Sequence, residues 1–240
     1  MLSDYNTRKR ARLFGFVVSV ALVSILGCAP DGEEQRVEQR KNPTAPTAPA
    51  TTGPLVAFLG DSITAGLHVD EAQAFPAVLA TEMRSAGTPI RLLNAGRSGD
   101  TTAGGLGRVD WILAQKPDCV VVELGGNDGL RGQPIAAITE NLRQILKRIR
   151  AAGATPLLLG MRIPTNYGGE YATEFAALYA ALAAELQVAF VPFFMEGVAG
   201  DPALNLPDGI HPTVAGHRKL AQNLIEPVTA VVRSATVKSE

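Results

Sequence analysis

Five short apolar runs, none alternating with polar residues, constrain the fold of this chain more than any other feature: LVAFLG from Leu55, IRLLNAG from Ile90, CVVVELGG from Cys119, TPLLLGMRI from Thr155 and VAFVPFFM from Val188. A strand with one face in water alternates apolar and polar side chains, so uninterrupted runs predict strands covered on both faces. Helical patterns come between and after the runs, at about Phe75 to Ala86, Thr102 to Gln115, Ile135 to Ala152, Glu170 to Leu186 and Thr213 to Val232. The third is the clearest: Ile138, Leu142, Ile145, Leu146 and Ile149 form one stripe, with Arg143, Lys147, Arg148 and Arg150 free to face water. Gly87 and Gly153 are placed to stop helices. Strand and helix in alternation predict an α/β fold, a three-layer α/β/α sandwich around a five-stranded parallel sheet. No internal repeat marks a second domain.

The ends of the 240-residue chain read differently. The basic stretch RKRAR, Arg8 to Arg12, precedes the uncharged LFGFVVSVALVSIL, Leu13 to Leu26, in the order of an export leader. As a helix that apolar stretch would reach roughly 21 Å, short of a hydrocarbon core of roughly 30 Å, so a spanning segment is the weaker reading. Next comes ILGC, Ile25 to Cys28, which resembles the lipobox of bacterial lipoproteins and implies lipidation of Cys28. Ordinary cleavage nearby and retention as a short anchor are the alternatives. From Pro30 to Pro54 the chain is first charged and then rich in Pro, Thr and Ala, with too little apolar surface to offset the entropy of ordering. The expected organisation is a lipoprotein-type signal peptide at 1–28, a disordered tether at 29–54, a folded domain at 55–233 and a frayed tail at 234–240. Such a protein is expected in the periplasm or cell envelope, meeting the membrane only through its lipid anchor.

A formal net charge of -1, with both signs interspersed, gives no basic stripe and argues against a nucleic-acid partner. Of the two cysteines, Cys28 lies in the leader and Cys119 in an apolar run, where it reads as a small core residue. No zinc-ligand spacing is present.

Ser62 directly follows the first apolar run, where a parallel sheet opens its binding crevice. A serine or aspartate there serves equally well as a helix cap, so the fragment leaves cap and nucleophile both open. The segment LPDGIHPTVAGH supplies a candidate base, His211, with Asp208 three residues before it and Pro212, which fits the first turn of the last helix, after it. An aspartate at that spacing can fold back onto Nδ1–H and leave Nε2 free as a general base. It can also cap its own turn, or hold a metal, for which Asp201 and His217 are the nearby further ligands; His217 reads as a surface residue of the last helix. Two glycine turns after the second and third runs offer oxyanion donors: NAGRSGDTT with the backbone of Gly99, and ELGGND with the amide of Asn127. In the flavodoxin-like strand order 2-1-3-4-5, Ser62, Gly99 and Asn127 would share one sheet edge.

The blocks GDSITAG, SGDTT, LGGNDGLRG and DGIHP, in that order, resemble those of the SGNH, or GDSL, hydrolases. Within that family the likeness is closest to the bacterial periplasmic multifunctional thioesterase/protease/lysophospholipases and related arylesterases, and it extends over about Leu55 to Val232. The resemblance implies Ser62 as nucleophile and Asp208 with His211 as its base. It implies Gly99 N–H, Ser62 N–H and Asn127 as oxyanion donors, and no metal or organic cofactor. No G-x-S-x-G elbow is present, which weighs against an α/β-hydrolase. Ile63 stands where the motif name has Leu, and Leu67 replaces an aromatic residue often found there.

The expectation is a serine esterase acting on aryl or short- to medium-chain acyl esters, with thioesters a possible extension. A lysophospholipase, a carbohydrate O-deacetylase and a catalytically silent envelope-binding lipoprotein are the rival readings. Tyr167, Phe193, Phe194 and Leu204 are expected to wall the acyl cleft, with Leu67 and His68 at its border.

Overall fold

The computed structural model describes residues 52–164, 166 and 168–237, so the expected leader, Cys28, most of the tether, Tyr167 and the last three residues lie outside the described residues. The elements run β1 (Leu55–Gly60), α1 (Ser62–Ala65), a 3₁₀ turn (Glu71–Gln73), α2 (Phe75–Ser85), β2 (Arg91–Gly96), α3 (Thr102–Leu113) and β3 (Cys119–Glu123). They continue α4 (Gly126–Leu130), α5 (Ile135–Ala151), β4 (Thr155–Leu159), α6 (Gly169–Leu186), β5 (Ala189–Val191) and α7 (Val214–Val237). The five strands form one parallel sheet in the order β2-β1-β3-β4-β5.

The continuous runs are continuous because both faces are covered. Helices α2 and α7 pack together against the sheet on one side, and α3, α5 and α6 form the other layer. Val56 to Leu59, Val120 to Val122 and Leu157 to Leu159 are at most 1% exposed, and each Val, Leu or Phe among them contributes about 1.5–3 kcal/mol by leaving water. The edge strands β2 and β5 are only partly covered. All five stripe residues of α5 are buried, while Arg143 on its outer face pairs with Glu140 and Glu185.

Three expectations need correction. Helix α7 runs to Val237, past the expected boundary at 233, because Ala235 still packs in the core. Pro212 does not enter that helix: Thr213 caps it, accepting Gly216 N–H on Oγ1 at 3.2 Å, and Pro212 instead forms an isolated antiparallel bridge with Asn205. His217 is not a surface residue but fully buried, stacked on Phe75, whose N–H it accepts on Nδ1 at 3.2 Å. Phe75 opens α2, and no side chain caps that helix at its own N-cap residue, so His217 supplies the missing acceptor from across the layer.

Candidate active site

Gly60 pairs with Gly96 on one side and Glu123 on the other, so the chain leaves β1, β2 and β3 at one common edge. Asp61 caps α1, accepting Ile63 N–H on Oδ1 at 3.0 Å. The turn is locked at its far end by Gly66, in the left-handed conformation at φ 75°. Ser62 is therefore both the first residue of a short helix and the residue at the sheet edge; its N–H, in the first turn, has no intrahelical acceptor.

Ser62 Oγ lies 2.9 Å from His211 Nε2, and His211 Nδ1 lies 2.7 Å from Asp208 Oδ2. With Nδ1–H donated to the carboxylate, Nε2 is left to accept the serine hydroxyl proton. Asp208 also folds back as its spacing suggested, its Oδ1 accepting the N–H groups of Ile210 at 2.9 Å and His211 at 3.0 Å. Those bonds, led by the one from His211 N–H, hold the Asp208 carboxyl down at about 2. The loop is fixed from behind: Leu206 N–H donates to His211 O at 2.7 Å and Thr213 N–H to Leu204 O at 2.9 Å, on either side of the Asn205–Pro212 bridge. Asn205, buried, steadies that bridge by donating its amide to the carbonyls of Val198 and Asp201. This bracing was not read from the sequence.

Gly99 stands at φ 77°, which favours glycine for its backbone alone, since a Cβ there would meet nothing closer than the Arg131 guanidinium at 3.8 Å. Asn127, in the first turn of α4, donates its amide to Asp61 Oδ2 at 3.1 Å, which keeps a second amide hydrogen for a ligand. The two loops are tied together by Asp128, whose buried carboxylate accepts Thr102 N–H at 2.8 Å and Thr102 Oγ1–H at 2.6 Å. Arg108 completes the frame, reaching from α3 to Asp100 at 2.7 Å and to the carbonyls of Ala95 and Gly60.

A cleft of about 640 Å³ opens at this edge, with Ser62, Asn127, Asp208 and His211 on its surface. Its apolar wall is Ile63, Leu130, Met161, Ile163, Phe193 and Met195, with Arg162 at 4.5 Å over the Phe193 ring. Of the expected wall, Phe193 is in place. Phe194 is fully buried against Phe75, because successive residues leaving β5 point to opposite faces, and Leu204 packs on the core beneath the His211 loop. Leu67 and His68 do not line the cleft; His68 instead sets its ring edge-on to His211, with 5.9 Å between centroids. Met161 and Ile163 follow β4 just as Ser62 follows β1, so the rule that singled out Ser62 also locates the wall.

No group of three His, Cys, Asp or Glu lies close enough to hold a metal ion among the described residues. His217 has its Nδ1 committed to Phe75, and Asp201 Oδ1 accepts Ala203 N–H.

The sequence matches the GDSL-like lipase/acylhydrolase family over residues 58–219. It is 46% identical over 167 residues to esterase TesA of Pseudomonas aeruginosa, an alignment covering 69% of this chain and 83% of that one. It is 44% identical over 156 residues to thioesterase 1/protease 1/lysophospholipase L1 of Escherichia coli, covering 65% and 74% of the two chains. Among solved structures, that of TesA superposes with a TM-score of 0.71 at 43% identity, covering 74% of this chain and 99% of that chain. The SGNH-hydrolase family esterase AlinE4 superposes with a TM-score of 0.64 at 40% identity, covering 75% and 97%. Sheet order, the ordered sequence blocks and these matches agree: the chain belongs to the GDSL-like lipase/acylhydrolase family.

Proposed function

We propose that the protein is a serine hydrolase of carboxylic esters, acting through an acyl-enzyme on Ser62. The observation that carries this reading is the unbroken relay from Ser62 Oγ to His211 Nε2 at 2.9 Å and from His211 Nδ1 to Asp208 Oδ2 at 2.7 Å. Ser62 attacks the ester carbonyl as His211 takes its proton, and Asp208 holds the imidazole in the required tautomer. The tetrahedral oxyanion is met by the N–H groups of Ser62 and Gly99 and the amide of Asn127. His211 then returns the proton to the leaving alcohol, and water, activated by the same imidazole, releases the acid. The apolar wall from Ile63 to Met195 favours an acyl chain of several carbons over the acetyl group of a sugar.

The test is hydrolysis of p-nitrophenyl esters from acetate to hexanoate by the purified protein. Activity should rise along the series and disappear in Ser62→Ala; equal rates in wild type and a folded Ser62→Ala would remove Ser62 from the chemistry.

The basic and apolar stretches before Cys28 support export to the periplasm or envelope, and the ILGC segment supports lipidation of Cys28. Labelled palmitate should enter the wild-type protein in cells and not Cys28→Ala; equal labelling of both would remove Cys28 as the anchor.

A further inference from the structure

Glu123 closes β3 directly beneath the nucleophile's turn, and none of its surface reaches solvent. Its Oε2 accepts two bonds, from Asp61 N–H at 3.2 Å and from Thr64 Oγ1–H at 2.7 Å. Its Oε1, equally buried, receives none. Beside it stands the carboxyl of Asp61, 3% exposed, with both oxygens used: Oδ1 by Ile63 N–H and Oδ2 by the Asn127 amide. No salt bridge joins either carboxyl to a Lys or Arg among the described residues. Room for the pair depends on Gly60, where a Cβ would collide with Thr64 and Glu123.

Glu123 is fully buried and Asp61 shows only 3% of its surface at the floor of the cleft, so with no cation to offset them a second charge on the pair is strongly disfavoured and the pair holds one proton. The hydrogen bonds say which carboxyl carries it. An anionic oxygen with no donor is the costliest group to bury, whereas an oxygen bearing the proton is far cheaper. Glu123 Oε1 fits the second description, and both Asp61 oxygens fit an anion. Burial, and then the charge of Asp61, push the Glu123 carboxyl well above its usual range, and burial raises Asp61 as well. The other titratable groups felt here are His211, which favours the Asp61 anion, and the buried phenol of Tyr179, itself pushed up by burial, then by Asp128 and then by these two carboxylates.

We propose that Glu123 is a positioning residue held as the neutral acid beneath Ser62, leaving Asp61 the single carboxylate that caps the nucleophile's turn and orients the Asn127 amide. The arrangement fixes the plane of the Asn127 amide through one charge-assisted bond to Asp61, which aims its remaining N–H toward the cleft. A second charge at Glu123 would repel Asp61 and oppose an oxyanion forming nearby. Glu123 touches no substrate; it acts through Asp61 and Thr64. The role rests on the assignment of Ser62 and Asn127 given above, but the protonation state does not, and the two are tested separately.

Infrared spectroscopy of the full chain at neutral pH should show the carbonyl stretch of a protonated carboxylic acid that shifts on isotopic labelling of glutamate. That band should be missing in Glu123→Gln. Absence of the band in wild type, or its persistence in Glu123→Gln, overturns the proposal whatever the protein hydrolyses. In kinetics, Glu123→Leu keeps the bulk but removes the acceptor, and should lose on the order of 10²-fold in kcat with KM nearly unchanged, the effect of misplacing a reacting group. Glutamine presents a carbonyl where Oε2 stands and should recover most of that loss. Full activity in a folded Glu123→Leu, or no recovery in Glu123→Gln, would sink the positioning role. If Glu123→Leu does not fold, the infrared comparison and the glutamine variant still decide.

Discussion

Asn127 spends one amide hydrogen on Asp61 and has the other left over, so in the oxyanion role proposed for it the contribution is directional and concentrated in the transition state. Asn127→Ala should lower kcat by about 10²-fold with little change in KM, read from saturation curves on one aryl ester. A larger effect on KM than on kcat would assign the amide to ground-state binding. At this scale the sequence carried much of the site. The D-x-x-H spacing of Asp208 and His211 is a local property of one turn, and local geometry survives into any fold. What it hid was burial phase. His217 falls three and four residues before the buried Leu220 and Ala221, on the same stripe as Leu224, Val228 and Val231, and tracing that period would have placed it inside. Phe193 and Phe194 are adjacent and equally apolar; only the facing of the chain beyond β5 separates cleft from core. Glu123 drew no notice within an apolar run, because composition does not reveal which polar side chain a sheet edge will enclose.

Beyond the ends of the strands, polar side chains tie the site's elements to one another. Asp128 welds α4 to the start of α3, bringing the Asn127 loop and the Gly99 loop into one piece. Asn141, from α5, adds a bond to the same Thr102 hydroxyl at 3.1 Å. Removing the carboxylate in Asp128→Ala strands the buried N–H and hydroxyl of Thr102, which costs roughly 2–3 kcal/mol, visible as a lowered Tm. The same variant should lose kcat on esters as the two donor loops drift apart. A fall in Tm with kcat untouched would separate the weld from the chemistry. The parallel sheet and its covering helix layers followed from the five continuous runs, whereas the strand order β2-β1-β3-β4-β5 was expected from the flavodoxin-like topology and not from any single residue. Element ends followed less well: Pro212 looked like a helix residue because proline suits a first turn, yet the bridge to Asn205, formed with a segment several residues upstream, holds it outside α7.

For the molecule as a whole, His217 couples the α2–α7 layer to pH. Burial lowers its imidazole from 6.5 to about 4, since the charged form loses water and the Nδ1 that accepts Phe75 N–H would have to take a proton. Between those values the unfolded chain binds the proton and the folded chain does not, so stability falls as pH drops from about 6.5 toward about 4 and levels off below. Denaturant midpoints across that window should show the fall in wild type and a shallower one in His217→Gln, which retains an acceptor without titrating. An identical slope in the variant would assign the pH dependence to other groups.

The bond between Ser62 and His211 joins residues 149 positions apart, and the imidazole is located by a loop whose far end is the start of α7. A chain emerging from synthesis therefore carries its serine early and acquires a base only when the final helix docks. Hydrolytic power should appear late and all at once during refolding, in step with burial of α7, and a nascent or C-terminally clipped chain would be chemically mute. On the roles proposed for Ser62 and His211, the wide sequence separation works as a built-in latency, leaving the serine without its base until the surrounding cleft exists to select what reaches it.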